Sequence, residues 1–268
     1  MKESDFNGFY GPHNKWLLLD TPSVPGLASQ FKKRFARTRY HELLADTEMH
    51  LIRKQGPLLV YLSPDEPFSV VCQKEAAEWP GLTIFCSAPT DELLAHLRCM
   101  LTVRFSDHYK GLITYYNAQT ASYFFDSMDV QELSRWLGPI DSISWVGGTW
   151  ADKADDYKDR LYLNNPKLEV PPLTAEPQLS VQQEKKLQQC LLERHAYFWS
   201  GATDNSYRKT LRHLQEGLRL GFNDPLILDE WLGLRARFPT APLPSNPADV
   251  GQQARFDNVR TYWEGGRS

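Results

Sequence analysis

Cysteine is scarce: the 268 residues hold four, Cys72, Cys86, Cys99 and Cys190, and none are in CxxC spacing. This argues against a disulfide-stapled scaffold or a thiolate metal site, and reduced, mostly buried thiols are expected. Long apolar runs are also missing. The longest, Leu58 to Leu62, falls far below the roughly 20 residues of a membrane-spanning helix, so no membrane span is expected. Neither charge dominates: 30 Lys and Arg stand against 33 Asp and Glu, a net of -3, so no global positive field exists for a nucleic acid. Met1-Lys2-Glu3-Ser4-Asp5 lacks the apolar core of a secretory signal, and a cytoplasmic location is expected. The glycine-rich phosphate loops, the GxSxG elbow, the HExxH helix and the EF-hand loop are all missing.

What is present is an ordinary globular composition, 41% hydrophobic and 12% aromatic, with length enough for a large domain and a smaller lobe. Residues 1–163 alternate strand-like runs (Trp16 to Leu19, Leu58 to Leu62, Leu82 to Cys86, Leu112 to Tyr116, Ile143 to Val146) with helical patterns. The alternation predicts an α/β domain with a mostly parallel sheet covered by helices on both faces, although the Phe105 to Lys110 turn allows a local antiparallel pair. A helix is expected from Thr90, with Thr90 as its cap. A second is capped by Asp129 with Glu132 three residues on, and stopped by Gly138-Pro139. Residues 164–180, with Pro166, Pro171, Pro172 and Pro177, read as a proline-rich linker. Beyond it, 181–268 reads as a helical C-terminal lobe, with Gly221 ending one helix and Asp224-Pro225 opening the next.

Candidate chemistry is thin. Ser87 follows a strand, but no glycine elbow surrounds it, and a turn residue ahead of Pro89 is the simpler reading. His41-Glu42 lacks a second imidazole one helical turn on and reads as a solvated helix end. Asp152, Asp155, Asp156 and Asp159 alternate with Lys153, Lys158 and Arg160 and read as a polar segment. Lys32, Lys33, Arg34, Arg37 and Arg39 form one basic cluster, a solvated face open to an acidic partner. Asp20, His96 and Arg98 could make an acid/base site, or tie a strand end to a helix through a carboxylate such as Asp20. Trp145, Trp150, Tyr157 and Tyr162, then Tyr197, Phe198, Trp199 and Tyr207, lie outside the clear core stripes. They suit either an interface with a partner or the seam between lobes.

Leu17-Leu18-Leu19-Asp20, Gly56-Pro57-Leu58-Leu59-Val60, Ser87 followed by Leu93-Leu94-Ala95-His96-Leu97-Arg98, Tyr115-Tyr116-Asn117, and Leu137-Gly138-Pro139-Ile140 occur in an order and spacing that resembles the type VI secretion adaptor family. These are the effector chaperones called Tap or Tec, and the likeness covers about Trp16 to Trp150. It implies a bacterial, cytoplasmic, non-enzymatic protein which holds a toxic effector and promotes its loading onto the VgrG spike; no metal or cofactor is expected. It also marks Asp20, Gly56, Pro57, His96, Leu97, Arg98, Asn117, Gly138 and Pro139 as motif positions of mainly structural role. One departure stands out: such proteins tend to carry an Arg-aromatic-aromatic-Asp-Pro run where this chain has Thr114-Tyr115-Tyr116-Asn117-Ala118, so both charges are lost. On this reading the two lobes form a groove for the effector. The alternatives are an α/β-class enzyme using Ser87, His96 or Asp20, and a secretion scaffold that is not a chaperone.

Overall fold

Leu17-Leu18-Leu19 and Leu58-Leu59-Val60 are apolar at consecutive positions, which a strand tolerates only when both of its faces are covered. Both runs lie in the middle of a six-stranded sheet in the computed structural model, which describes residues 14–106, 109–203, 205–244 and 250–265. In spatial order the strands are β2 (Tyr40–Glu42), β3 (Leu58–Tyr61), β1 (Asn14–Leu19), β4 (Gly81–Cys86), β7 (Ile140–Val146) and β8 (Arg160–Asn164). The side-chain period of two then sorts each run between two cores. Trp16, Leu18, Leu59, Leu82, Ile84 and Ile143 face a large core completed by Leu93 and Leu97 of α3 (Thr90–Cys99), Phe124 of α4 (Ala118–Phe124), and Trp136 and Leu137 of α5 (Val130–Leu137). Leu17, Leu19, Leu58 and Val60 face the other way, onto Leu27 and Phe31 of α1 (Leu27–Arg34), Phe68 of α2 (Pro67–Lys74), and Trp79. There Phe68 meets Phe31 and Trp79 edge-on, with centroids 5.0 and 5.1 Å apart.

Every pairing in this sheet is antiparallel, which corrects the expectation of a mostly parallel one. For two of the five pairings the cause is the position of β1. β3, α2 and β4 do form a crossover between two strands of the same direction, but β1 inserts between those strands and opposes both. The continuous apolar runs therefore report coverage of both faces and carry no information about direction. The allowed local pair exists as β5 (Thr102–Arg104) with β6 (Lys110–Leu112). The expected strand at 112–116 stops at Leu112, and Ile113, Tyr115 and Tyr116 enter the large core.

Local start and stop residues act as their chemistry requires. Asp129 and Glu132 complete a capping box on α5, and Gly138 takes φ +50 at its end. Thr90 is the first residue of α3, and Pro89 occupies the cap position instead. His41-Glu42, expected at a helix end, lies in β2, where it pairs with Leu59 and Leu58. The proline-rich stretch runs along the small sheet: the Arg104 N–H donates to Pro177 O (3.0 Å), the Leu179 N–H donates to Arg104 O (2.9 Å), and Leu173 and Leu179 pack on the large core.

The chain divides into two compact units, 1–190 and 191–268. α6 (Trp150–Ala154) belongs to the first, and α7 (Val181–Thr203) begins there and continues into the second. The second unit is helical, with α8 (Tyr207–Arg219), α9 (Pro225–Arg237) and α10 (Gln252–Gly265) around Phe222, Trp231, Phe256 and Trp263. Gly217 lets α8 approach α9 closely, because a Cβ there would stand 2.7 Å from Trp231 Cδ1. Beside it Arg235 forks onto Glu216 at 2.7 and 2.8 Å, with its guanidinium 4.5 Å from the Trp263 ring centre.

Candidate functional site

The motif positions resolve into two clusters, one at each end of the strands. At the first end, β1 delivers Asp20 with only 1% exposure. Its carboxylate accepts from the Ser23 hydroxyl (2.5 Å), the Ser23 N–H (3.3 Å) and the Asn117 amide (2.8 Å). Burial pushes the Asp20 carboxyl above its ordinary pKa, against these three donors and the more distant Lys153. Asn117 is the pivot: its oxygen caps α4 by accepting from the Thr120 N–H (3.1 Å), while its NH2 serves Asp20. Next to it the Thr21 hydroxyl donates to Gly56 O (2.6 Å), and Pro57 O accepts from the Leu43 N–H (3.1 Å). A Cβ at Gly56 would meet Leu44 Cδ1 at 2.5 Å. Every polar partner of this Asp20 cluster is spoken for, so its chemistry is that of an anchor between β1, α4 and the turn before β3.

The opposite end holds His96, Gly138, Pro139 and Ser87. His96 Nε2 lies 2.8 Å from Trp136 O, at the C-terminus of α5, and burial lowers the pKa of its imidazole. Gly138 fits beneath that ring, and a Cβ there would stand 2.7 Å from His96 Nδ1. Gly138 O accepts from Asn165 Nδ2 (2.9 Å), and Pro139 O from the Cys86 thiol (3.3 Å). The Ser87 N–H donates to Asp141 Oδ2 (2.7 Å). Burial raises the Asp141 pKa, but Lys167 and Ser87 more than offset this and hold it below the usual carboxylate range. Leu97 is a core residue whose carbonyl accepts from the Tyr115 hydroxyl (2.8 Å). Arg98 pairs with Asp46 (2.8 Å) and Leu43 O (3.1 Å), so its carboxylate is Asp46 and not Asp20.

Asp20, Ser87 and His96 do not converge. β1 and β4 oppose each other, with Leu19 opposite Gly81 and Asn14 opposite Cys86. Asp20 and Ser87 therefore stand at opposite ends of neighbouring six-residue strands, about 20 Å apart at strand rise. The acidic run is also local structure: Asp152 completes a capping box on α6, and Asp156 faces Lys158. No group of three His, Cys, Asp or Glu side chains among the described residues could hold a metal ion. The basic cluster is partly neutralised by the chain itself, Lys32 by Glu42 (2.8 Å) and Arg34 by Glu75 (3.5 Å).

The candidate partner-binding aromatics divide by burial. Trp145 and Trp150 are buried, Trp145 with its indole N–H on Ser122 Oγ (2.8 Å) and Trp150 with its backbone N–H on the Tyr123 hydroxyl (3.0 Å). Tyr157 and Tyr162 are exposed. Tyr197, Trp199 and Tyr207 are half-buried in the second unit, the last donating to Glu193 (3.0 Å). Two surfaces were not evident from the sequence. Leu51 (86% exposed), three residues from Glu48, and Tyr109 (70%) and Leu112, beside Lys110 in sequence, are exposed, and the Glu48–Lys110 ion pair joins their two segments. A depression of about 510 Å³ opens between α5 and the proline-rich stretch, lined by Arg135, Trp136, Pro171, Pro172, Leu173 and Gln183 among others. The repeated prolines were the one visible cue to it.

A family model described as a domain of unknown function (DUF4123) matches residues 15–135, somewhat under half of the chain. The match starts in β1, ends in α5, and spans the motif positions from Asp20 to Asn117. No curated protein and no solved structure matches the chain. No helix among the described residues is long and apolar enough to cross a membrane.

Proposed function

We propose that this protein is a cytoplasmic adaptor, an effector chaperone of the type VI secretion system, which binds a toxic effector and promotes its loading onto the VgrG spike. The observation that carries the reading is the overlap of two likenesses. The ordered motifs that resemble the adaptor family fall largely inside the stretch matched by the domain model, residues 15–135. The geometry is compatible: the motif side chains are spent on internal anchors, which suits a scaffold that presents surfaces to other proteins. Exposed Leu51, Tyr109, Tyr157 and Tyr162 supply apolar and aromatic contact area of the kind interfaces use.

The test is co-expression of the tagged chain with the products of its neighbouring genes, followed by affinity purification and size-exclusion chromatography. A stable complex with an effector that is insoluble or degraded alone supports the chaperone role. Recovery of the spike protein without an effector would replace it with a scaffold role. Well-folded protein that retains neither partner overturns the proposal.

A further inference from the structure

α8 has two unlike sides. Thr210, Leu214 and Gly217 are buried, and at about 100° per residue the opposite crest carries Arg208, Arg212, Gln215 and Arg219, all exposed, within an arc of about 60°. The crest is about 16 Å long, and Lys209 flanks it. Among the described residues Arg212 and Arg219 form no ion pair, and Arg219 Nε donates to Gln215 O of its own helix (3.3 Å), whereas Arg208 is engaged by a partner of its own. The one carboxylate of α8, Glu216, is held by Arg235 (2.7 Å). In the cluster around Lys32 and Arg34, Glu42 and Glu75 lie against those two cations. The surplus on α8 is felt nearby: burial and then Arg235 hold the His213 imidazole below its usual range, with Lys209 and Arg212 adding to the effect and Glu216 opposing it.

We propose that the exposed crest of α8 docks an acidic helix of a protein partner, whose carboxylates recur every seven residues opposite Arg212 and Arg219. Charge complementarity selects this occupant. The crest bears no aromatic side chain on which a base could stack, and the whole chain is net -3, which disfavours a nucleic acid. Leu211 and Leu218 beside the crest pack into the helical core, which leaves no apolar side chain to enter a bilayer. The inference rests on α8 and stands independently of the adaptor reading.

The experiment titrates full-length protein into a fluorescein-labelled helical peptide of about 20 residues, with Glu every seventh residue in an Ala/Gln background, and reads anisotropy. Saturable binding is expected, weakened roughly tenfold by Arg212→Glu/Arg219→Glu and by raising salt from about 50 to about 300 mM. The milder Arg212→Gln/Arg219→Gln should give a smaller loss, and Lys33→Glu none. Circular dichroism checks that each variant is folded. Absence of saturable binding, equal affinity in the α8 variants, or tighter variant-sensitive binding of duplex DNA or phosphatidylserine vesicles would each overturn the assignment.

Discussion

Replacing Asn117 by Asp sets a second carboxylate against Asp20 without disturbing the cap of α4, because one Asp oxygen can still accept from the Thr120 N–H. The other oxygen would take the place of the amide nitrogen, now 2.8 Å from Asp20 Oδ2. Two full charges at that distance repel by about 6 kcal/mol at an effective dielectric of about 20. Neutralising one ordinary carboxyl at pH 7 costs less, about 4 kcal/mol at about 1.4 per pH unit. The pair therefore takes up a proton on folding and shares it as an O–H···O bond. The folded state then binds one proton that the unfolded state lacks, so the variant loses stability as pH rises. The expected destabilisation relative to the parent is about 4 kcal/mol at pH 7 and about 1 kcal/mol at pH 5. Urea denaturation of both proteins at each pH, followed by circular dichroism, measures it with the shared background cancelled. A penalty equal at the two pH values would refute the reasoning, since it would mean that the two side chains do not share a proton.

Gly138→Ala combines a strained positive φ with a clash against His96, and should cost about 2–4 kcal/mol in the same assay. Adding His96→Ala should return the clash part but not the backbone part, so strict additivity of the two losses would contradict the packing described. His96 itself predicts a pH effect: its folded pKa is lowered, so its contribution is present above the unfolded value of about 6.5 and is lost as pH falls below it. His96→Gln should flatten that part of the stability profile, and an unchanged profile would assign the effect elsewhere. The Cys72 thiol is pushed up to about 12, mainly by burial. At pH 8 only about one part in ten thousand is thiolate, so iodoacetamide should label it about a thousandfold more slowly than a free cysteine, as read by mass spectrometry.

What the sequence disclosed follows the range of each interaction. The caps at Asp129 and Asp224 and the stop at Gly221 involve residues within a few positions, and they act in the structure as their side chains dictate. Strand direction depends on which distant segment lies alongside, and nothing within Trp16–Leu19 states that β3 and β4 will flank it. β8 carries a period of two, with Leu161 and Leu163 packed on the core between exposed Arg160, Tyr162 and Asn164, but the charged run before it hides the pattern. The Asp20–Asn117 contact spans 97 positions. The sequence marked both residues as motif positions and left open that one answers the other. Trp145 and Trp150 lie outside the helical core stripes because one is on a strand and the other opens a five-residue helix, where that periodicity has no purchase.

The central place of β1 bears on how the chain is made. Leu18 is paired with Leu59 on one side and Leu82 on the other, both synthesised later. At about 5–20 residues per second, a ribosome needs roughly 3–13 s after Leu18 to add Leu82, before counting passage through the exit tunnel. For about the first two-thirds of that interval neither flanking strand of the Leu17-Leu18-Leu19 run is complete, and for the rest β3 is made but β4 is not, so the seam that organises the sheet closes late. High sequence separation between paired strands also slows the search itself. The nascent protein therefore carries one of its most apolar strands with at least one edge unpaired during the stage when self-association competes best with folding.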